Sequence, residues 1–237
     1  MSVYSCLKKR TAIAVLSGAC ICLTSLPALA EGGISIQGTR IIYPQSAKQQ
    51  SLSVSNSSTT DSFLVQSWVE DASGHKTSDF IVTPPLYLSG PKNENTLRLM
   101  RAAGGGTQDR EMLFYFVAKA IPSVDDKKDA GKNVLRIATA SRIKLFVRPA
   151  GLTPAPGDAP SRLEFRHQGE RLIINNPTPY YLTLTDMRAG GKTLQDIMVP
   201  PKESVTESWP VGTGNKLTFH TINDYGAITK IQSAEIK

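Results

Sequence analysis

The sequence predicts an all-β protein made of two immunoglobulin-like β-sandwich domains. From residue 34 onwards, short segments of alternating apolar and polar residues are separated by turn-forming residues about every eight to twelve positions. No helical period is sustained over about a dozen residues. A stretch with linker composition, PAGLTPAPGDAP at 149–160, divides the chain. We therefore expect one domain at 31–150 and a second at 151–237, each long enough to bury its own core.

The first 30 residues have the features of a secretory signal. A basic triplet, KKR at 8–10, precedes an apolar run that ends in Ala28-Leu29-Ala30, a small-x-small cleavage site. The apolar run is shorter than the roughly 20 residues that span a bilayer. We expect cleavage before Glu31 and an exported chain without a membrane anchor.

Composition excludes several classes of function for the mature chain. All three cysteines, Cys6, Cys20 and Cys22, lie in the signal, which leaves no disulfide, thiol nucleophile or cysteine metal site. Removing the signal lowers the net charge from +7 to +4 because it takes away three cations. The remaining positive charge is spread along the chain, so we expect no nucleic-acid partner. We also expect no cofactor.

In the first domain, alternation and turn residues predict several short strands before one long one. They are expected at 34–43, 50–56, 63–69, 80–82, 95–101 and 111–120. Trp68 is expected to anchor the core from the strand at 63–69. Pro84 and Pro85 exclude a central position in a sheet for the residues around them.

The second domain repeats this style of short strands. They are expected at 162–165, 171–175, 180–186, 193–199, 204–208, 216–222 and 227–236. About seven short strands with frequent turns are typical of an immunoglobulin-like sandwich, and both domains fit this pattern.

The segment NVLRIATASRIKLFVRP, which begins at Asn133 and ends at Pro149, is predicted to be one long strand. Odd positions from Leu135 to Val147 are apolar or small and polar, and even positions carry the cations Arg136, Arg142, Lys144 and Arg148. Those thirteen residues reach about 43 Å, whereas strands usually have about five or six residues. Part of the strand should therefore project beyond its sheet, and the apolar Leu135 and Ile137 suggest that this edge recruits another chain. The alternative is an ordinary long central strand.

Several segments together resemble the periplasmic pilus chaperones of the PapD type. They are GTRIIYP at 38–44, VQSWVED at 65–71, VTPP at 82–85, ENTLR at 94–98, RE at 110–111, AIP at 120–122, SRIKLFVRP at 141–149, NPTPYY at 176–181 and NDYG at 223–226. Each is weak alone, but the set occurs in this order over the whole mature chain. The PapD fold is itself an immunoglobulin-like sandwich.

The resemblance implies a periplasmic chaperone whose two sandwiches form a boomerang. The long strand would be lent to a pilus subunit that lacks its own last strand, a mode of strand addition called donor-strand complementation. Leu135, Ile137 and Thr139 would fill the subunit's groove, although many relatives carry a larger apolar residue in place of Thr139. The loaded chaperone would deliver the subunit to an outer-membrane usher.

The resemblance also assigns roles to five charged residues. Arg40 and Lys144 match the cations that anchor the subunit's terminal carboxylate through charge-assisted hydrogen bonds. Glu111, Arg148 and Asp224 match a charge cluster that holds the two sandwiches at a fixed angle.

Three questions remain open at this stage. The short loop at 123–132 resembles the short-loop subclass that serves rod-forming pili. Whether the free chaperone hides its apolar edge by self-association is undecided, and so is the identity of the pilus subunits and the usher.

Two other classes of function compete with the chaperone. The chain contains His75, His167 and His220, but none lies in a nucleophile elbow or a zinc-binding helix motif, so we expect no enzyme. A secreted immunoglobulin-like structural protein or adhesin would share the fold without needing Arg40 and Lys144 together.

Overall fold

The computed structural model describes residues 32–102, 105–123 and 133–236. These residues are mainly β-strands, and the one helical element among them is a 3₁₀ turn at Ala159–Arg162. The prediction of an all-β chain with two immunoglobulin-like sandwiches is confirmed.

No helix in the described ranges has the length and apolarity needed to cross a membrane. The predicted signal and most of the loop at 123–132 lie outside the described residues, so the short-loop assignment stays a prediction.

The first sandwich consists of two facing sheets. Its strands are β1 (Ile34–Ile36), β2 (Arg40–Pro44), β3 (Gln50–Asn56), β4 (Phe63–Glu70), β5 (Phe80–Thr83), β6 (Leu86–Ser89), β7 (Glu94–Arg101), β8 (Met112–Pro122) and β9 (Thr139–Arg148). One sheet has the order β1-β3-β7-β5 and the other β2-β9-β8-β4-β6. Strands β2 and β9 run parallel, whereas the other pairs are antiparallel.

The core of the first sandwich forms from alternate residues of both sheets, as period-two patterning requires. Tyr43, Phe116 and Leu145 are fully buried there. The ring of Phe80 lies edge-on between Tyr43 and Phe114, with centroids 5.4 Å and 5.1 Å away. Edge-to-face packing of this kind stabilises aromatic clusters.

The expectation that Trp68 anchors this core is wrong. In β4 the buried positions are Val65, Ser67 and Val69, so Trp68 lies on the opposite face and is only half-buried. Its indole N–H donates to Glu70 Oε1 at 3.0 Å. Successive residues of a strand face opposite sides of the sheet. Val65, Ser67 and Val69 face the core, so Trp68 faces the other side despite its size.

The second sandwich has its own core. Its strands are β10 (Glu164–Gln168), β11 (Arg171–Asn176), β12 (Leu182–Ala189), β13 (Lys192–Thr193), β14 (Ile197–Val199), β15 (Glu203–Ser208), β16 (Lys216–Thr221) and β17 (Gln232–Glu235). One sheet has the order β10-β11-β15, and the other has the order β13-β12-β16-β17 with β14 also on β12. Leu172, Ile174, Leu184, Met187 and Leu217 are fully buried between them.

The long strand predicted from 133 to 149 is shorter in the structure. Strand β9 begins at Thr139, and no strand pairing among the described residues includes 133–138. We call 133–138 the projecting segment. Its Leu135 and Ile137 side chains are 85% and 67% exposed. The prediction of one continuous strand is therefore wrong for its first six residues, because the sheet offers them no neighbouring strand.

Strand β9 itself has two different environments. Residues 144–147 lie between β2 on one edge and β8 on the other. Residues 139–143 pair only with β8, so among the described residues their second edge is open. We call 139–143 the open edge. The alternative, an ordinary central strand, thus describes only the second half of β9.

Candidate functional site

Two cations stand side by side where the sandwiches meet. The parallel register of β2 and β9 places Arg40 opposite Lys144. Both side chains reach the second sandwich, since Arg40 donates to the Ile222 carbonyl oxygen at 3.1 Å and Lys144 Nζ donates to Thr183 Oγ1 at 3.3 Å. The structure therefore brings the predicted pair together in a cleft between the two domains.

The cleft keeps this pair partly desolvated. Burial lowers the pKa of Arg40, although the charges of Asp224 and Glu111 oppose it. Burial and the neighbouring charge of Arg40 together lower the pKa of Lys144. Among the described residues neither cation has a carboxylate within salt-bridge distance, and Arg40 Nε is buried without a hydrogen-bond partner. Two like charges held together without a carboxylate in direct contact favour binding of an anion.

An aromatic wall beside the cations was missed by the sequence analysis. Phe146 occupies an even position of β9, on the face expected to be polar, yet it is only 2% exposed. Its ring lies 5.5 Å from that of Tyr181 in the second sandwich, and the Arg40 guanidinium is 5.9 Å from its centroid. The one available signal was that Phe146 interrupts the series of cations at even positions.

Glu111, Arg148 and Asp224 are in direct contact across the boundary between the sandwiches. Arg148 Nε donates to Glu111 Oε1 at 2.7 Å, and its two terminal nitrogens donate to the Asp224 carboxylate at 2.6 Å and 2.7 Å. Its guanidinium also lies 5.0 Å from the ring centroid of Tyr180. Burial works against the charged form of Arg148, but hydrogen bonds to Asp224 and the charge of Glu111 raise its pKa above the usual value.

Glu111 connects the sandwiches a second time through the backbone. Its carboxylate is almost fully buried, with 3% of the residue exposed, and Oε2 accepts the Tyr181 N–H at 2.9 Å. Its own N–H donates to the Pro179 carbonyl oxygen at 2.9 Å. Both acceptor oxygens of Glu111 are thus used, which is the condition for a buried carboxylate to remain stable.

Asn176 shapes the segment NPTPYY that carries these backbone partners. Its side-chain amide donates to the carbonyl oxygens of Tyr180, Val199 and Pro200 at 2.7 Å, 3.2 Å and 3.0 Å. Its Oδ1 accepts both the N–H and the hydroxyl of Thr178. One buried amide therefore fixes the loop that carries Tyr180 and Tyr181 to the cleft.

Leu135, Ile137 and Thr139 lie away from the cations. Leu135 and Ile137 belong to the projecting segment, and Thr139 is the exposed first residue of β9, opposite Ala120. They occupy successive odd positions, which face one side of an extended chain. The structure leaves their side chains available to solvent and does not bring them into the cleft.

A further ion pair between the sandwiches was not predicted. Lys202 Nζ donates to Asp109 Oδ2 at 2.7 Å, and the Lys202 N–H donates to the Thr178 carbonyl oxygen. Hydrogen bonds from Lys202 and Arg110 lower the pKa of Asp109 to about 2. Neither residue lies in a motif, so the sequence contains no local signal for this contact.

Comparisons with known proteins agree with this arrangement. The model of the PapD N-terminal domain, described as a pili and flagellar-assembly chaperone, matches residues 33–153. The model of the C-terminal domain of the pili assembly chaperone PapD matches residues 158–233. The chain is 47% identical over 207 residues to the chaperone protein FocC of Escherichia coli, covering 86% of this chain and 91% of FocC. It is also 47% identical over 201 residues to the chaperone protein FimC of Escherichia coli K12, covering 84% and 83%.

Two solved chaperone structures are similar to this chain. The periplasmic chaperone SfaE superposes with a TM-score of 0.75 at 44% identity, covering 86% of this chain and all of SfaE. The SafB chaperone, solved in complex with the SafA pilin of Salmonella enterica, superposes with a TM-score of 0.78 at 28% identity, covering 88% and 99%.

The chain belongs to the PapD-like family of pilus-assembly chaperones. The resemblance found in the sequence is confirmed, and with it the general function in pilus assembly. The family is one of chaperones and not of enzymes. Membership favours a chaperone over the alternative of a secreted structural protein or adhesin.

Proposed function

We propose that this chain is a periplasmic chaperone that binds pilus subunits by donor-strand complementation and delivers them to an outer-membrane usher. One observation carries the proposal. Strand β9 is fixed between β2 and β8 in its second half, whereas its first half has the open edge and continues into the apolar projecting segment. The likeness to SafB, which was solved with a pilin, supports a pilus subunit as the partner.

The proposed binding combines a general and a selective contribution. Main-chain hydrogen bonds along the open edge and the projecting segment hold a subunit strand without regard to its sequence. Leu135, Ile137 and Thr139 enter the groove left by the subunit's missing strand. Each large apolar side chain that becomes buried there contributes roughly 1.5 to 3 kcal/mol. Thr139 contributes less because it is smaller and carries a hydroxyl group.

Arg40 and Lys144 are proposed to set the register of the added strand. The open edge ends at Ile143, and the next residue, Lys144, is paired with Arg40. A strand added along the open edge therefore meets the two cations at its end. A terminal carboxylate bound there forms charge-assisted hydrogen bonds with both cations, neither of which contacts a carboxylate among the described residues.

The cluster of Glu111, Arg148 and Asp224 is proposed to hold the sandwiches in the orientation that this capture requires. We also propose the division into domains at 31–150 and 151–237, preceded by a cleaved signal at 1–30 that directs export to the periplasm. The chain acts by binding and not by catalysis.

Co-expression with pilus subunits of the source organism in a periplasm tests the proposal. A Leu135→Asp, Ile137→Asp double variant is expected to remain folded but to recover much less bound subunit than the wild type. Val211→Asp is the matched control, because Val211 is also exposed, at 71%, but lies in the second sandwich. Equal recovery of subunit by all three proteins would contradict donor-strand binding.

A further inference from the structure

One short turn of the second sandwich touches the first sandwich at three points. We call residues 222–227, which follow β16, the interdomain turn. The Ile222 carbonyl oxygen accepts from Arg40, and the Asp224 carboxylate accepts two hydrogen bonds from Arg148. The third point is Gly226, which lies directly against Thr39.

Hydrogen bonds within the interdomain turn stabilise its conformation. Asn223 Oδ1 accepts the N–H groups of Tyr225 and Ala227, both at 3.0 Å. The Gly226 N–H donates to the Asn223 carbonyl oxygen, and the Asn223 N–H donates to that of Ala227, both at 2.9 Å. Four hydrogen bonds over so few residues make the turn a rigid body, so a displacement at one contact point is transmitted to the other two.

Thr39 occupies the space that a side chain at position 226 would need. The φ of Gly226 is +81°, and a Cβ at this position would lie far inside van der Waals contact with Thr39 Oγ1 and 3.4 Å from Thr39 Cβ. Thr39 directly precedes Arg40 in the chain. This contact between the two sandwiches is therefore adjacent in sequence to the proposed carboxylate anchor.

We propose that Gly226 is a positioning residue: its missing side chain lets the interdomain turn seat against Thr39, which sets the spacing of the sandwiches and holds Arg40 through the Ile222 carbonyl. The effect on subunit capture rests on the proposed role of Arg40. The effect on the spacing does not, because it follows from the contact between Gly226 and Thr39 alone.

A purely local role for Gly226 makes a different prediction. Positive φ strains any residue with a side chain, whatever its neighbours. Gly212 separates the two effects, because its φ is +78° but a Cβ there would meet nothing within 4 Å. Gly212→Ala therefore reports backbone strain alone, whereas Gly226→Ala reports strain and the contact with Thr39.

The experiment measures the relative orientation of the two sandwiches by residual dipolar couplings in the free protein. Gly226→Ala is expected to change this orientation, and Gly212→Ala to leave it as in the wild type. Adding Thr39→Ala to Gly226→Ala is expected to restore it, because only the 3.4 Å contact with Cβ then remains. An unchanged orientation in Gly226→Ala, or no restoration in the double variant, would overturn the inference.

Thr39→Ile keeps the inference testable if Gly226→Ala does not fold. It crowds the same contact from the first sandwich without straining the backbone of the turn, and a smaller change of orientation is expected. An orientation identical to that of the wild type would overturn the inference.

Subunit recovery in periplasmic co-expression separates the two proposals. With Gly226→Ala we expect about a tenfold weaker capture, which corresponds to about 1.4 kcal/mol, and recovery of capture in the double variant with Thr39→Ala. A changed orientation with unchanged capture would overturn the functional part and would also count against Arg40 as an anchor. An unchanged orientation would overturn the positioning role and leave the proposed function standing.

Discussion

Leu135 and Leu145 occupy equivalent odd positions of one continuous segment, yet they have opposite environments. Leu145 is fully buried in the core of the first sandwich, where β9 pairs with both β2 and β8, whereas Leu135 is 85% exposed beyond the sheet. The residue type is the same, so the difference comes from whether the chain supplies neighbouring strands. Apolar residues that extend a buried pattern into solvent suggest a partner that completes the sheet.

The cations at the boundary between the sandwiches divide in the same way. Arg148 is neutralised by two carboxylates, Glu111 and Asp224, within hydrogen-bond distance. Arg40 and Lys144 have backbone and hydroxyl partners but no such carboxylate among the described residues. A satisfied cation stabilises the fold, whereas an unneutralised pair in a cleft is available for an anionic ligand. Variants at Arg148, Leu145, Leu135 and Lys144 test these two contrasts, and Asp109→Asn adds an exposed ion pair for comparison.

The largest loss of stability is expected from Arg148→Ala. It leaves Glu111 buried without its counter-ion, which should lower the free energy of unfolding by about 3 to 5 kcal/mol. Arg142→Ala is the control, because Arg142 is half-exposed and pairs with Glu70 at 2.8 Å. Its loss should be no more than about 1 kcal/mol. Urea unfolding checks both, and similar small losses would show that the cluster does not hold the sandwiches together.

The stability losses of Leu145→Ala and Leu135→Ala should differ almost as much as those of Arg148→Ala and Arg142→Ala. Leu145→Ala leaves a cavity in the core and should lower the free energy of unfolding by about 2 to 5 kcal/mol. Leu135→Ala removes an exposed side chain and should change it by no more than about 0.5 kcal/mol. Urea unfolding of the two variants is the measurement. A large loss with Leu135→Ala would place this residue in the core of the free protein.

Lys144→Ala should abolish subunit capture without reducing stability. Burial and Arg40 lower the pKa of Lys144, so its charged form is a cost to the fold at neutral pH, and this cost disappears with the side chain. Thermal unfolding and periplasmic co-expression are the two measurements. Arg166→Ala removes an exposed cation from the second sandwich, outside the proposed binding edge, and should keep capture. Equal yields of complex from Lys144→Ala and the wild type would exclude the carboxylate anchor.

The smallest effect is expected from Asp109→Asn. The pair with Lys202 is exposed, and the pKa of Asp109 is lowered from 3.8 to about 2. Its stabilisation should therefore be present above about pH 4 and decline as the pH falls towards 2. It should also weaken with added salt. Unfolding of the wild type and the variant across this pH range checks the prediction, and a difference at pH 2 as large as that above pH 4 would contradict it.

Local patterning predicted most of the fold. Alternation and turn residues located strands such as β3, β4 and β7 to within a residue or two, because a half-buried strand must alternate. Strand β6 was missed, since it follows Pro84 and Pro85 directly and lies at the sheet edge. The beginning of β9 was misplaced because the same alternation continues through the projecting segment. A sequence pattern does not distinguish pairing within a chain from pairing with another chain.

The site was predicted only in part. The motifs identified five charged residues that meet at the boundary between the sandwiches, but not the pair Asp109 and Lys202. Phe146 was missed because the second sandwich covers an outward face of β9, and alternation within one strand does not report such a covering domain. Gly226 and Thr39 are 187 positions apart in the sequence, so their contact depends on how the sandwiches pack.

Amide hydrogen exchange of residues 133–143 tests the central claim most directly. In the free chaperone, we predict rapid exchange in the projecting segment and slower exchange in β9, where β8 accepts hydrogen bonds. In the purified complex with a pilus subunit, amides of the projecting segment should become strongly protected as they pair with the subunit strand. Exchange that remains as rapid in the complex as in the free protein would contradict donation of this strand.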